Sequence, residues 1–143
     1  MNNISVVSGG FDPLHAGHID YLREAANFGD VFILLNSDKW LTRKKGKPFM
    51  EWGERACILN AIKYVYNVMA VADSKDNVCR GIIDLKALSK NRKCTITFCN
   101  GGDRTSDNVP EIDLCDSIGV NLRFNVGGNK IQSSSTLLKK WEA

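Results

Sequence analysis

His15 and His18 stand three residues apart, with Ala16 and Gly17 between them, directly behind Gly9-Gly10-Phe11-Asp12-Pro13-Leu14. Imidazole donates hydrogen bonds to phosphate oxygens and adjusts its charge near neutral pH. Gly17 has no Cβ and lets the backbone approach a ligand closely. The stretch follows a short apolar run, Ile4-Ser5-Val6-Val7, and leads into apolar residues at helical spacing from near Ile19. Strand, glycine turn and helix in that order present backbone N–H groups and a helix N-terminus to an anion. Each piece has a plainer reading alone. Paired glycines after a strand are ordinarily a tight turn, and a histidine near a helix start is often a cap. Two histidines bracketing Ala16-Gly17, with Asp12 close by, weigh against a purely structural role.

Two further groupings suit phosphate. Arg43-Lys44-Lys45-Gly46-Lys47 concentrates four cations behind the second apolar run. A charge run is ordinarily a solvated surface; in this place it is able to fold over the histidines and hold polyphosphate. Near the C-terminus, Gly127-Gly128-Asn129-Lys130-Ile131-Gln132 precedes Ser133-Ser134-Ser135-Thr136. Serines at a helix start are commonly caps, but this run supplies more donors than capping needs.

The elements that must position these groups alternate along the chain. Helix is expected from Ile19 to Phe28, stopping at Gly29, then a strand over Val31–Leu35 whose continuous apolar character suits a sheet covered on both faces. A polar, basic loop follows, then a helix over Glu51–Lys63, a strand over Val65–Val71, and a helix over Asp76–Ser89 with Asp76 as cap. Cys94–Cys99 reads as the fourth strand, Pro110–Ile118 as a helix closing at Gly119, Val120–Val126 as the fifth strand, and the serine run to Trp141 as a final short helix. This predicts a Rossmann-like α/β fold: a doubly wound, five-stranded parallel sheet in a three-layer α/β/α arrangement with right-handed crossovers. Ligands of such sheets bind beyond the strand carboxyl ends, where the strand order switches.

The chain of 143 residues is expected to be one domain, 1–143, large enough for a hydrophobic core without staples. Its apolar content of 43% and charged content of 24% are those of a soluble globular protein. No apolar run is long enough to span a bilayer and the N-terminus lacks a signal-peptide layout, so no membrane association is expected. The five cysteines, Cys57, Cys79, Cys94, Cys99 and Cys115, are scattered and lack zinc-ligand spacing. They read as reduced, mostly buried thiols of a cytoplasmic protein. A net charge of +3 is too small to imply nucleic acid. The first turn also lacks the Gly-x-Gly-x-x-Gly spacing of dinucleotide enzymes.

The motif Gly9 to His18 resembles the His-x-Gly-His signature of the cytidylyltransferase-like nucleotidyltransferases, among them glycerol-3-phosphate cytidylyltransferases and heptose-1-phosphate adenylyltransferases. The resemblance continues, in the family's order, through Asn36-Ser37-Asp38, Lys44-Lys45-Gly46-Lys47-Pro48, Glu54-Arg55, Gly101-Gly102-Asp103 and Ser133-Ser134-Ser135. It implies transfer of CMP from CTP, or AMP from ATP, to a small phosphorylated acceptor such as a sugar or polyol phosphate, with release of pyrophosphate. His15 and His18 would donate to the α-phosphoryl oxygens, and Gly10 and Phe11 would border the nucleotide with them. The family's Lys-Gly element matches Lys45-Gly46 best, making Lys45 the first candidate for a catalytic phosphate clamp, ahead of Lys44 and Lys47. Arg55 stands where the family has a functional arginine, although an arginine opening a helix is more often an ordinary surface residue. Gly102 and Asp103 are implied to contact the nucleotide. Ser133, Ser134 and Ser135 are implied to bind its phosphates. The cytidylyltransferases carry an arginine ahead of the serine element; here Lys130 would supply the charge without the bidentate geometry. Magnesium is the implied cofactor, with Asp12 either helping to hold it or capping the turn before Pro13. A homodimer is implied as well. No motif marks the acceptor pocket; Trp40, Asp38 and Asp73 are candidates that read equally well as structural. A second function class remains, a non-catalytic nucleotide-binding sensor of the same fold. Intact histidines and lysines argue against it.

Overall fold

A computed structural model of the chain describes residues 3–90, 92–101, 109–128 and 134–142, without the side chains of residues 109 and 135. Five strands, β1 Ile4–Gly9, β2 Asp30–Leu35, β3 Val65–Ala70, β4 Ile96–Gly101 and β5 Asn121–Val126, form one sheet in the order β3-β2-β1-β4-β5. Every neighbouring pair is parallel. The helices are α1 Ala16–Ala25, continued by a 3-10 turn Ala26–Phe28, α2 Asp38–Lys45, α3 Trp52–Asn60, α4 Cys79–Leu88, α5 Val109–Ile118 and α6 Ser134–Glu142.

Successive strand side chains point to opposite faces, and the core divides accordingly. Val7 of β1, Val31, Ile33 and Leu35 of β2 and Cys99 of β4 pack on one face with Leu22 and Ala25 of α1 and Ala56 and Leu59 of α3. Ile4 and Val6, Leu34, and Ile96 and Phe98 pack on the other with Ile82 and Leu85 of α4 and Cys115 of α5. The expected doubly wound α/β sheet with helices on both faces is thus what the chain forms.

Three element expectations change. The basic segment after β2 is the helix α2, not a loop. Leu41 is its one buried residue, so almost no apolar periodicity reveals it. Ser37 caps it, its hydroxyl accepting from the Trp40 N–H at 3.1 Å, with Asp38 in the first turn and Arg43, Lys44 and Lys45 in the last. Those charges complement the helix dipole at both ends. Helix α1 starts at Ala16, which places both histidines at its beginning. Helix α4 is capped by Val78 rather than Asp76: the Val78 N–H donates to the buried Glu111 carboxylate of α5 at 3.1 Å, and Asp76 pairs with Arg43 instead. Of the cysteines, only Cys99 and Cys115 are buried, and Cys57 is exposed. Burial pushes the Cys115 thiol up to about 12, with Cys79, Asp116 and Glu111 adding to it.

Candidate active site

Strand β1 is followed by β2 and then β3 on one side, and β4 lies on its other side, so the order switches between β1 and β4. The loop from Gly10 to His15 leaves the carboxyl end of β1 at this switch, where ligands bind in such sheets.

The two histidines are at once a candidate catalytic pair and the cap of α1. His15 is the N-cap, and its Nδ1 accepts from the Gly17 N–H at 3.1 Å. His18 reaches back, its Nδ1 accepting from the His15 N–H at 3.1 Å. This is a capping box built from imidazoles. The rings stack with centroids 3.9 Å apart, and Phe11, buried beneath, tilts against His18 at 4.8 Å. With Nδ1 accepting in both rings, the nitrogen carrying hydrogen is Nε2. The two cap bonds therefore orient a pair of adjacent N–H donors. Gly17 is part of the device, since a Cβ there would lie 2.9 Å from His15 Cε1 and 3.1 Å from Nδ1. Gly17→Ala is expected to displace the His15 ring and lower kcat at least about tenfold, while melting stays near wild type because alanine is the better helix former. Turnover and a thermal melt on the same preparation check this.

Lys45, the last residue of α2, donates from Nζ to the Asp12 carbonyl oxygen at 2.7 Å and so reaches the histidine loop. Burial draws its ammonium below the ordinary lysine range; the Asp12 carboxylate opposes this and the Arg55 charge adds to it. Asp12 does not fit either expected role. Its carboxylate is 1% exposed and accepts from the Phe49 N–H at 2.6 Å and the Met50 N–H at 2.7 Å. Both oxygens fasten the segment between α2 and α3 onto the loop, which neither caps the turn nor offers a metal ligand. Among the described residues no three His, Cys, Asp or Glu side chains are grouped to hold a metal.

Arg55 is likewise not placed to touch substrate. Its side chain is 0% exposed and lies behind the loop, where Nε donates to Met50 O, Nη1 to Gly10 O and Asn36 O, and Nη2 to Asp38 Oδ1, all within 2.7–2.9 Å. Asp38, an acceptor-pocket candidate, is its ion-pair partner. Asp73, the other carboxylate candidate, is 4% exposed and accepts from Asn36 Nδ2 at 3.0 Å, the Ser37 N–H at 2.8 Å and the Ser37 hydroxyl at 2.7 Å. Arg43 joins this network, donating to the Asp73 carbonyl and pairing with Asp76. Burial alone would raise the Asp73 carboxyl; the bonds from Asn36 and Ser37, with the nearby Arg43 charge, hold it below the usual range. A depressed folded-state value stabilises above the ordinary carboxylate value near pH 4, and that stabilisation is lost as pH falls through the lowered value. Asp73→Asn is therefore expected to lower the urea midpoint at pH 7 and to flatten its decline below about pH 4. Urea titrations at several pH values would show it.

On the other side of β1, α1 holds the ends of β4 and β5. Tyr21 donates its hydroxyl to the Cys99 carbonyl, and Glu24 accepts from the Gly127 N–H. Gly127, at φ 88, packs so close to α1 that a Cβ would stand 2.8 Å from Tyr21 Cα. Helix α6 arrives at the loop as well, the Ser134 hydroxyl donating to the Pro13 carbonyl at 2.8 Å. Of the expected site residues, Gly10, Phe11, His15, His18, Lys45 and Ser134 thus gather at one loop. Lys44 and Lys47 are exposed beside it, Lys44 with its ammonium 5.6 Å from the Trp40 ring centroid. Gly102, Asp103, Lys130, Ser133 and the Ser135 side chain lie outside the described residues.

The fold and loop define a doubly wound α/β protein with a histidine pair at the switch point of its sheet. The chain belongs to the cytidylyltransferase-like family, whose model matches residues 6–140. It is 37% identical over 119 residues to the bifunctional protein HldE of Geobacter metallireducens, an alignment covering 81% of this chain and 22% of that protein. It is also 37% identical over 81 residues to the FAD synthase of Archaeoglobus fulgidus, covering 57% of this chain and 58% of that one. The chain thus spans about a fifth of the first relative's length and just over half of the second's. A lipopolysaccharide core biosynthesis protein from Thermoplasma volcanium shares the fold with a TM-score of 0.68 at 20% identity, over 87% of this chain and 96% of that one. Among the described residues no helix is long and apolar enough to cross a membrane.

Proposed function

We propose that this protein transfers a nucleotidyl group from CTP or ATP to a small phosphorylated acceptor. A phosphate oxygen of the acceptor forms a bond to the α-phosphorus as the bond from that phosphorus to the pyrophosphate oxygen breaks. Pyrophosphate leaves, and a diphosphate bridge joins nucleotide and acceptor. The carrying observation is the stacked pair His15–His18, each ring fixed through Nδ1. Two Nε2–H donors held in advance suit the negative charge that builds on the α-phosphoryl oxygens. Lys45 stands at the same loop and supplies positive charge for the leaving pyrophosphate. The attacking oxygen is already ionised, so no general base is required. One relative is named an FAD synthase, and making a dinucleotide of that kind agrees with joining a nucleotide to a phosphorylated partner.

The test is pyrophosphate release from CTP and from ATP, separately, in magnesium-containing buffer with sugar, polyol and flavin phosphates. Release that depends on one acceptor supports the reading and fixes the base. Nucleotide binding without release from any acceptor favours a sensor of the same fold, and binding of neither nucleotide overturns both.

A further inference from the structure

We infer that the protein has a second ligand site, remote from the histidine loop, which takes a phosphate monoester carried on an aliphatic chain. The site is a cleft of about 400 Å³ between the C-terminal half of α4, the turn that follows it and the end of α5. That volume falls within the range of small-molecule sites. Ile83, Lys86 and Ala87 line it from one face of α4, being three and four residues apart. Past the Ser89 cap the chain turns back. The Lys90 N–H donates to the Ala87 carbonyl at 3.3 Å and the Arg92 N–H to the Ser89 carbonyl at 2.9 Å, and both side chains line the same cleft. Cys94 and Ile118 complete its wall. The cleft lies at the amino end of the sheet, because Cys94 precedes β4, whose first residue Ile96 stands beside Ile4. The histidine loop leaves the other end of β1, a six-residue strand away, which is roughly 20 Å. The ligand of the cleft is therefore not a reactant at the histidines, and the inference does not rest on nucleotidyl transfer.

Charge defines the head group. A cation in the last turn of a helix ordinarily complements its dipole, and Lys86 has that place. Lys90 and Arg92 lie beyond the helix, and no ion pair among the described residues involves any of the three. Residues 86–93 hold four cations without a carboxylate, and among the described residues no carboxylate lines the cleft. Three cations converging on one cavity suit a phosphate, whose oxygens accept a charge-assisted bond from each. The remaining wall defines the body. Ile83, Ala87 and Ile118 are aliphatic, and lysine stems extend such a surface. Ile83 is 38% exposed, an apolar side chain left open at the cleft. Among the described residues no aromatic side chain lines the cleft, so a nucleotide base would find nothing to stack on.

The experiment alkylates the protein with a maleimide and follows Cys94 and Cys57 separately by peptide mass spectrometry. Cys57, exposed on α3, is the internal reference. Hexyl phosphate, inorganic phosphate, hexanol, and vesicles of phosphatidic acid in phosphatidylcholine are added in turn. Hexyl phosphate is expected to protect Cys94 and not Cys57. Its Kd, read from that protection, is expected to lie at least tenfold below that of inorganic phosphate, as burial of two methylenes supplies. Protection is expected to persist in His18→Asn and to weaken at least tenfold in Lys90→Glu. Lys90 is exposed, and a thermal melt checks that variant's fold. Protection by the vesicles alone supports the site with a membrane lipid as the source of the same head and chain. Protection by neither vesicles nor hexyl phosphate overturns the inference. So does equal protection by inorganic phosphate or by hexanol, an unchanged Kd in Lys90→Glu, or loss of protection in His18→Asn, which would place the ligand at the histidine loop. None of these results bears on pyrophosphate release, which tests nucleotidyl transfer separately.

Discussion

His18→Asn is expected to fold as well as the wild type and to lose roughly a hundredfold to a thousandfold in kcat, the usual cost of removing one preorganised donor to a developing oxyanion. The asparagine amide ends about where imidazole Nδ1 stands, so its oxygen accepts the His15 N–H that Nδ1 accepts at 3.1 Å. Nothing replaces the more distant Nε2–H. His18→Ala removes the cap as well, which costs about 1 kcal/mol of stability and about 2–4 °C in melting temperature for a chain of this size. The pair of variants separates two roles that one residue carries. If His18→Asn kept most of its turnover, His18 would be a cap alone and the proposed chemistry would lose its main donor. Steady-state kinetics with KM determined for each substrate, beside thermal melts, read both quantities.

The dual role also explains what the residue pattern conveyed and what it did not. A strand, a glycine turn and two histidines at i and i+3 locate a site, because few structural needs require that set. The capping function of the same histidines shifted the start of α1 by a turn: the expected helix began near Ile19 because apolar spacing begins there, whereas the helix begins at Ala16 because the imidazoles cap it. Helix α2 escaped notice for a related reason. Its signals are terminal, a Ser37 cap and cations in the last turn, and Leu41 alone is buried, so no apolar stripe marks it. The sheet was the most legible part. Val6, Val7, Val31, Ile33, Leu34, Leu35 and Phe98 are all nearly or fully buried, as continuous apolar strands covered on both faces must be.

Charged residues were the least legible, since a carboxylate or guanidinium looks the same in sequence whether it meets ligand or backbone. Asp12, Asp38, Asp73 and Arg55 were all candidates for touching metal or substrate. Each instead satisfies protein groups, mostly the backbone N–H and carbonyl groups of the turns around the loop. A site that binds phosphate through loops must hold those loops without regular ladders, and buried charge is one means of doing so. Asn36-Ser37-Asp38 carried a signal that could have exposed this, because a cap, its amide neighbour and an acid in the first turn belong together.

Arg55 gives the sharpest test of that division. Arg55→Met is expected to destabilise the protein by about 3–5 kcal/mol, the range for breaking one side of a buried charged network. The guanidinium is fully buried and serves four acceptors: the carbonyls of Gly10, Asn36 and Met50, and the Asp38 carboxylate. The carbonyls carry most of the effect. Asp38 is 42% exposed, so water screens its charge, and Asp38→Asn is expected to cost only about 1 kcal/mol or less. Arg55→Lys is expected to lie near the methionine variant, because one ammonium cannot span acceptors on three separate segments. Urea unfolding measures all three, the Arg55→Met midpoint falling by about 2 M at an ordinary slope for this size. An arginine that bound triphosphate would behave otherwise: Arg55→Lys would unfold at the wild-type midpoint and show a raised KM for the nucleotide. That outcome would return Arg55 to the substrate and remove the account of how Gly10, Asn36 and Met50 are held around the histidine loop.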